Sequence, residues 1–343
     1  MIPVPQAAVD EMQGGLTVVI PTYNHGHFIG DALDSVVRQT RRPDKVIVFD
    51  DASTDNTQDI VRGYQERWGF IQLVRLSQNQ GVIALLNKGL EATETEFVSF
   101  LAADDFVDDT LYEKSLALLQ RHPDAALCGV LARLVDKDGK PLPRPADIIL
   151  HGQPCYLPPT EALQCLYRHG TFFSGNGAVY RTARLRQIGG FDKALSSLCD
   201  GYAQQLLAAK HGFCFVPEVL ASWRRLDAGY AVSTQRESAK ALDMLHAVLG
   251  RIDGTDATVF PESYKRRLAN RTRFMAAIAA ISAPGIDIDG LLAALGLSAT
   301  RFRALAGLAG RIFGRRGLTV LIGCWLRPQD MPRAMLRRFR MVE

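Results

Sequence analysis

Two pairs of adjacent aspartates stand where apolar runs of the chain end. Asp50 and Asp51 follow the run VIVF, and Asp104 and Asp105 follow FVSFL after two further residues. Paired carboxylates at such positions suit three roles: a site for a hard divalent cation, a cap for the next helix, or a solvated turn. The residue types alone leave the three roles open.

Polar loops also follow two other apolar runs. PTYNHGH at 21–27 comes after LTVVI, and NQG at 79–81 comes after FIQLVRL. A proline that breaks a strand, an aromatic ring and short amide side chains are groups that a small-molecule site uses. The candidate binding residues in these loops are Pro21, Thr22, Tyr23, Asn24 and Asn79.

Strand and helix patterns alternate through the first hundred residues. The four apolar runs are typical of short strands buried on both faces, and helix spacing fills the segments between them. The alternation predicts an α/β fold with a mostly parallel sheet and helices on both faces. Because ligands bind beyond the carboxyl ends of parallel strands, we expect the four polar loops to meet at one edge.

Helix capping is the competing explanation for both aspartate pairs. Asp55 with Gln58 resembles a capping box for the helix after the second strand. Asp108 and Asp109 are predicted to cap the helix after the fourth strand. The earlier pair in FLAADDF is then left without a capping role, which favours a ligand.

The pattern of helix and strand signals along the chain predicts three parts. Residues 1–14 form an N-terminal extension, residues 15–233 carry the α/β pattern, and residues 234–343 are almost entirely helical in pattern. A length of 343 residues suits about two domains. A loop is predicted over 141–159, and a strand over 172–181. Tyr180 stands where a dinucleotide fingerprint starting at SGNG needs glycine, so a dinucleotide site is excluded.

Positive charge is concentrated at the carboxyl end. The chain has a net charge of +4, but residues 298–343 hold ten arginines against two acidic residues, a local +8, so the rest carries −4. Such a tail can hold a protein at an anionic membrane surface, or pack as a helical extension on the main domain or a second subunit. Nucleic-acid binding is not expected, because aromatic residues do not interleave with the basic ones.

Targeting signals are not apparent. The proline-broken, acidic start MIPVPQAAVDEMQGG is unlike a signal peptide, and the nine-residue apolar run at 318–326 is too short to span a membrane. The six cysteines form no CxxC pair. These features predict a cytoplasmic protein, with peripheral contact at the inner face of the membrane if the tail binds lipid.

The motifs, taken in order, resemble family-two glycosyltransferases of the GT-A fold. The resemblance covers residues 15–233. The matching stretches are VVIPTYNHGHFIGDALDSVVRQT, VIVFDDASTDNT, NQGVIALLNKGL, FLAADDF, SGNGAVYRTARLRQIGGFDKAL and LCDGYAQQLLAAKHGFCFVPEVLASWRR. It implies a GT-A-type, Rossmann-like α/β domain followed by an α-helical C-terminal region.

The resemblance implies a nucleotide-sugar site at the strand edge. The loop at 21–23 would cup the base, and either Asp50 or Asp51 would hydrogen-bond the base or ribose. Asp104 would bind Mg²⁺ or Mn²⁺ on the diphosphate directly, and Asp105 would either be a supporting ligand or lie behind the direct ligands without binding the cation. Ala102 stands where the family commonly has the first carboxylate of Asp-x-Asp.

The catalytic base of the family corresponds to Asp200, in CDGY. The alternative for this residue is an N-cap of the helix predicted over 202–211. Arg224 and Arg225, after the last strand, either meet phosphates or form a solvated edge; the pattern leaves both open.

The implied function is inverting transfer of a sugar, most commonly from a UDP-sugar. The acceptor would be a saccharide or lipid-linked molecule in polysaccharide or glycoconjugate assembly. Because Ala102 removes one carboxylate, an inactive nucleotide-binding or scaffold protein is the alternative.

Overall fold

The computed structural model describes residues 14–143, 151–169, 175–226, 238–282 and 287–296, with Thr319, Ile322 and Leu326. The chain forms two compact units, Met1–Lys193 with Cys199–Arg225 and Ala194–Leu198 with Leu226–Glu343. The boundary predicted near residue 233 lies outside the described residues.

The first four strands form the parallel part of the sheet, as predicted. They are β1 (Leu16–Thr22), β2 (Lys45–Asp50), β3 (Ile71–Arg75) and β4 (Phe97–Phe100), in the spatial order β3-β2-β1-β4. All seven residues of β1 are buried, which fits a strand covered on both faces. Thr22 lies beside Asp50, and Asp50 beside Arg75, so three strands end side by side.

Helices connect these strands and pack around the sheet. They are α1 (Ile29–Val37), α2 (Thr57–Arg67), α3 (Val82–Ala92) and, after β4, α4 (Leu111–Arg121). The first helix, α1, buries an apolar stripe that includes Ile29, Leu33 and Val36. The predicted alternation of strand and helix is therefore confirmed.

The second half of the sheet is mixed. Its strands are β5 (Phe106–Val107), β6 (Leu127–Val135), β7 (Cys155–Leu157), β8 (Val179–Arg181) and β9 (Phe213–Arg224). The helices are α5 (Pro159–His169), α6 (Thr182–Gln187) and α7 (Cys199–His211), with 3₁₀ turns at Gly175–Gly177 and Lys193–Leu198. β8 runs antiparallel to β4 and β6, and β9 runs parallel to β6 and antiparallel to β5 and β7.

Two sequence-based assignments in this half are wrong. The loop predicted over 141–159 contains β7, because Cys155–Leu157 pairs with the buried start of β9. The strand predicted over 172–181 begins only at Val179; before it, Gly175–Gly177 forms a 3₁₀ turn. Within this turn, the buried Asn176 amide donates hydrogen bonds to the Asp105 carboxylate and to the Ser222 carbonyl.

The second unit is helical in its described part, as predicted. Its helices are α8 (Ser238–Asp253), α9 (Glu262–Ser282) and α10 (Ile288–Leu295), which share a buried apolar cluster. Asp287 caps α10 by accepting a hydrogen bond from the Gly290 N–H at 2.9 Å. The tail arginines lie outside the described residues. No helix within the described ranges is long and apolar enough to cross a membrane.

Gly89 tests how closely α3 packs on β1. A Cβ at Gly89 would overlap the side chain of Val19, which is itself fully buried. We expect Gly89→Ala to lower the free energy of unfolding by about 1–3 kcal/mol through overpacking. The measurement is the midpoint of chemical denaturation.

Gly63→Ala is the matched control, since Gly63 lies in α2 and a Cβ there meets open space. It should stabilise by up to about 1 kcal/mol, because alanine favours the helix. Equal effects of the two substitutions would contradict the close packing of α3 on β1.

Candidate active site

The two aspartates after β2 are used differently. Asp51 accepts hydrogen bonds at both carboxylate oxygens, from the Gln80 N–H and the Gly81 N–H, each at 2.8 Å. Asp50 is fully buried; its Oδ1 accepts from the Ser53 N–H at 3.1 Å, and its Oδ2 has no partner among the described residues. Asp51 therefore fixes the loop after β3, and Asp50 keeps a free acceptor.

The loop after β1 is tied to the loop after β2. Asn24 adopts a left-handed backbone with φ of 54°. Its N–H donates to Ser53 Oγ at 2.9 Å, and its Oδ1 accepts from the Thr54 N–H at 2.8 Å. Pro21 and Thr22 are the buried end of β1, while the Tyr23 side chain is 45% exposed. These bonds fix the main chain directly after the exposed Tyr23 to the loop that follows β2.

Asp55 does not form the predicted capping box. Its Oδ1 accepts from the Thr57 N–H at 3.0 Å and its Oδ2 from the Gly26 N–H at 2.9 Å, while Gln58 donates to the Ser53 carbonyl at 3.4 Å. The side chain therefore joins the first two loops as well as the start of α2. Asn79, in the loop after β3, is exposed.

The pair in FLAADDF also divides its roles. Asp105 is buried, and its carboxylate accepts hydrogen bonds from the Arg224 N–H at 2.7 Å and the Asn176 amide at 3.1 Å. Burial, and then the nearby Asp104 charge, raise the pKa of Asp105 well above its usual range. The half-buried Asp104 carboxylate makes no hydrogen bond or ion pair with the described part of the chain.

The predicted cap of α4 is wrong. The N-cap position is Thr110, and no side chain caps it. Asp108 instead forms an ion pair with Arg133, and Asp109 with Arg38 at 3.4 Å. These partners are remote in sequence, so local spacing could not reveal them.

Asp200 lies in the first turn of α7. The helix begins at Cys199, so Asp200 does not precede it as the predicted N-cap would. The Asp200 carboxylate accepts a hydrogen bond from the Gly201 N–H at 2.7 Å. Burial raises the pKa of Asp200 above the ordinary aspartate value.

The turn Gly175–Gly177 lies between Asp200 and Asp105. A Cβ at Gly175 would fall inside van der Waals distance of Asp200 Oδ2. The Asn176 amide donates to Asp105 Oδ2 at 3.1 Å and to the Ser222 carbonyl at 2.9 Å. The sequence included SGNG in the family resemblance but assigned no residue of it to the site, whereas the structure brings the turn next to both carboxylates. The sequence signal that could have indicated this turn is an asparagine with a glycine on each side.

The carboxylates fit a cation held mainly by a bound diphosphate. Among the described residues, no three His, Cys, Asp or Glu side chains are arranged as a complete metal site. Mg²⁺ commonly takes only one or two protein carboxylates and completes its shell with phosphates and water. The free Asp104 carboxylate suits that role, while both oxygens of Asp105 already accept hydrogen bonds.

Comparison with known proteins defines the class. Residues 17–189 match the family model described as glycosyl transferase family 2. That stretch is half of the chain, and the chain belongs to glycosyltransferase family two.

Curated bacterial relatives agree with this family. An uncharacterized glycosyltransferase, YibD of Escherichia coli, is 33% identical over 114 residues, 33% of each chain. The putative teichuronic acid biosynthesis glycosyltransferase TuaG of Bacillus subtilis is 33% identical over 127 residues, 37% of this chain and 50% of TuaG. The matched stretches thus span a third to a half of these relatives.

Solved structures show the same fold over nearly the whole chain. S. aureus TarS 1–349 in complex with UDP-GlcNAc has a TM-score of 0.61 at 17% identity and covers 92% of both chains. The mannosyltransferase PcManGT from Pyrobaculum calidifontis, in complex with GDP-Man and Mn²⁺, has a TM-score of 0.54 at 21% identity. It covers 92% of this chain and 85% of PcManGT. The fold is therefore the GT-A type that the sequence predicted.

The different surroundings of Asp51 and Asp104 lead to a stability prediction. Asp51→Ala leaves two backbone N–H groups without their acceptor, and hydrogen bonds to a charged group contribute about 1.5–3 kcal/mol each. We expect it to lower the free energy of unfolding by at least about 2 kcal/mol. Asp104→Ala should change it by less than about 0.5 kcal/mol. Chemical denaturation measures both, and a reversed order would contradict the assignment.

Proposed function

We propose that this protein is an inverting glycosyltransferase that moves a sugar from a nucleotide-diphosphate donor to an acceptor hydroxyl. The donor is a UDP-sugar, and the acceptor is a saccharide or lipid-linked molecule in polysaccharide or glycoconjugate assembly. The observation that carries the proposal is the turn Gly175–Gly177, which contacts Asp200 on one side and Asp105 on the other.

The donor binds at the carboxyl ends of the parallel strands. The exposed ring of Tyr23 offers a stacking surface for the base. Asp50 Oδ2 is a buried acceptor without a partner in the described part of the chain, and an N–H or O–H of the nucleoside would satisfy it. The structures of TarS with UDP-GlcNAc and PcManGT with GDP-Man support a nucleotide-sugar donor for this fold.

Asp104 would hold Mg²⁺ or Mn²⁺ against the diphosphate. A bound cation of this kind neutralises the negative charge that grows on the leaving diphosphate. Asp105 supports Asp104 through its hydrogen bonds to Arg224 and Asn176. Ala102 is compatible with this arrangement because one protein carboxylate plus phosphate oxygens is an ordinary shell for Mg²⁺.

Asp200 accepts the proton of the attacking hydroxyl. Its raised pKa brings it closer to neutral pH than an ordinary aspartate, which is the direction a general base requires. With the base on the acceptor side and the diphosphate leaving from the opposite face of the sugar, displacement inverts the anomeric centre.

A thermal-shift screen of UDP- and GDP-sugars, with and without Mn²⁺, tests donor class and metal dependence together. We expect UDP-sugars to raise the melting temperature more than GDP-sugars do, and to raise it more strongly when Mn²⁺ is present. Asp104→Ala should remove the Mn²⁺-dependent part. A shift in the wild type without any sugar transfer to a range of acceptors would favour the inactive scaffold.

Asp200→Asn should separate stability from activity. Because the folded-state pKa of Asp200 is raised, its ionised form is disfavoured in the fold, and stability falls as pH rises from the ordinary aspartate pKa through the raised value. The amide removes that burden, so the variant should melt higher than the wild type at pH 7 while kcat falls at least about 100-fold. A lower melting temperature, or unchanged kcat, would contradict the role of Asp200.

Gly175→Ala tests the turn itself. The added methyl group would displace the Asp200 carboxylate, so we expect kcat to fall at least about tenfold with little change in nucleotide binding. Gly69→Ala is the control, because a Cβ at Gly69 meets nothing within 4 Å and its backbone is not left-handed. Full activity in Gly175→Ala would exclude the close approach.

Membrane contact by the arginine-rich tail, and with it the location at the inner face of the membrane, stays a prediction. A chain truncated before Ser298 should lose salt-sensitive sedimentation with vesicles containing anionic phospholipid, if the full chain shows it. No sedimentation of the full chain would favour the tail as a packed helical extension.

A further inference from the structure

Arg224 is a buried cation at the edge of the candidate site. Its side chain is 2% exposed, and its guanidinium carbon lies 4.7 Å from the Phe28 ring centroid and 5.5 Å from that of Phe106. Taking a guanidinium out of water is costly unless its donors are well paired. A buried arginine at this position therefore needs an explanation in its partners.

Arg224 contacts both members of the aspartate pair. Its Nη1 donates to the main-chain carbonyl of Asp104 at 2.7 Å, and its own backbone N–H donates to Asp105 Oδ1 at 2.7 Å. The guanidinium thus contacts the main chain of Asp104 and leaves that carboxylate free. Asp105 is fixed at its side chain and Asp104 at its backbone.

Asp31 is the second anchor of the guanidinium. Arg224 Nη2 donates to Asp31 Oδ2 at 2.7 Å, and the Asp31 side chain, in the first turn of α1, is 59% exposed. The planar guanidinium can hold a carbonyl and a carboxylate at once, in fixed directions, which a lysine ammonium does less well. The arginine therefore ties α1 to the segment after β4.

We propose that Arg224 is a positioning residue for the cation and diphosphate of the donor, acting through the Asp104 main chain and anchored by Asp31. The inference rests on the proposed function and adds to it. The role of Arg224 would be to set the direction of the Asp104 carboxylate through the Asp104 main chain, without itself binding the donor. Replacing a residue that positions a metal ligand by hydrogen bonding typically changes metal affinity about 10–100-fold.

The test is the dependence of nucleotide binding on metal. The probes are UDP and GDP, and the readout is the ratio of Kd without Mn²⁺ to Kd with Mn²⁺, measured by calorimetry. In Arg224→Met we expect this ratio to fall about tenfold or more while Kd without Mn²⁺ stays near the wild-type value. Arg224→Lys keeps the positive charge but not the planar guanidinium, so its Kd ratio should lie between that of the wild type and that of Arg224→Met.

Arg181 supplies a matched control for burial of an arginine. It is 12% exposed, pairs with Glu96, donates to the Leu119 carbonyl at 2.7 Å and lies 5.0 Å from the Phe97 ring centroid. Arg181 pairs with Phe97 at the start of β4, whereas Asp104 lies beyond the other end of that strand, so Arg181 is remote from the candidate cation site. Arg181→Met should lower stability and leave the Mn²⁺ ratio unchanged.

Asp31→Ala keeps the test decisive if Arg224→Met does not fold. This exposed substitution should lower the Mn²⁺ ratio in the same direction, about threefold or more. Asp59→Ala is its control, since Asp59 lies in the first turn of α2, is 81% exposed and pairs with Arg62 at 3.5 Å.

Two outcomes distinguish the inference from the function it rests on. A Mn²⁺-dependent wild type whose ratio is unchanged in Arg224→Met would overturn the inference alone. If Arg224→Met does not fold, an unchanged ratio in both Arg224→Lys and Asp31→Ala would overturn it in the same way. Wild-type nucleotide binding that does not depend on Mn²⁺ would overturn the cation part of the proposed function, and the inference with it.

Discussion

The buried carboxylate of Asp105 is the group on which the arrangement of the site depends. It accepts one hydrogen bond from the Arg224 backbone at the end of β9 and another from Asn176 in the 3₁₀ turn, so three segments distant in sequence meet at one side chain. Burial and the neighbouring Asp104 charge raise its pKa, so the two hydrogen bonds offset only part of the cost of burying this carboxylate. Because Asp105 serves the fold, Asp104 is the member of the pair that remains open to a ligand.

The two aspartates after β2 also differ in their hydrogen bonding. Asp51 uses both oxygens to hold the loop after β3, whereas Asp50 keeps one buried oxygen free. In each pair, one aspartate accepts hydrogen bonds at both carboxylate oxygens, and its neighbour has a carboxylate oxygen without a partner among the described residues. A GT-A enzyme can therefore place charged groups at a strand edge without leaving that edge flexible. The Asp200 carboxylate can lie close to the turn because Gly175 has no side chain to keep it away.

Much of the first half of the fold could be predicted because its signals are local. Short apolar runs ending in polar loops identify β1–β4, and the register of a parallel sheet brings their ends together. The family resemblance already pointed to Asp104, not Asp105, as the direct ligand of the cation. The division between Asp50 and Asp51, and the hydrogen bonds that hold Asp51 and Asp105, could not be predicted, because the partners lie 29 to 119 residues away along the chain. Arg224 is 119 residues from Asp105 and 193 from Asp31. The incorrect cap at Asp108 has the same origin, an ion pair with the remote Arg133.

A crystal structure with UDP or GDP and Mn²⁺, with the cation located by its anomalous scattering, tests the central claim most directly. We predict a Mn²⁺ peak coordinated by the Asp104 carboxylate and the diphosphate. The hydrogen bonds of Asp105 to the Arg224 N–H and the Asn176 amide should be unchanged in that structure. A peak coordinated by Asp105 with those hydrogen bonds broken, or a peak remote from Asp104, would contradict it.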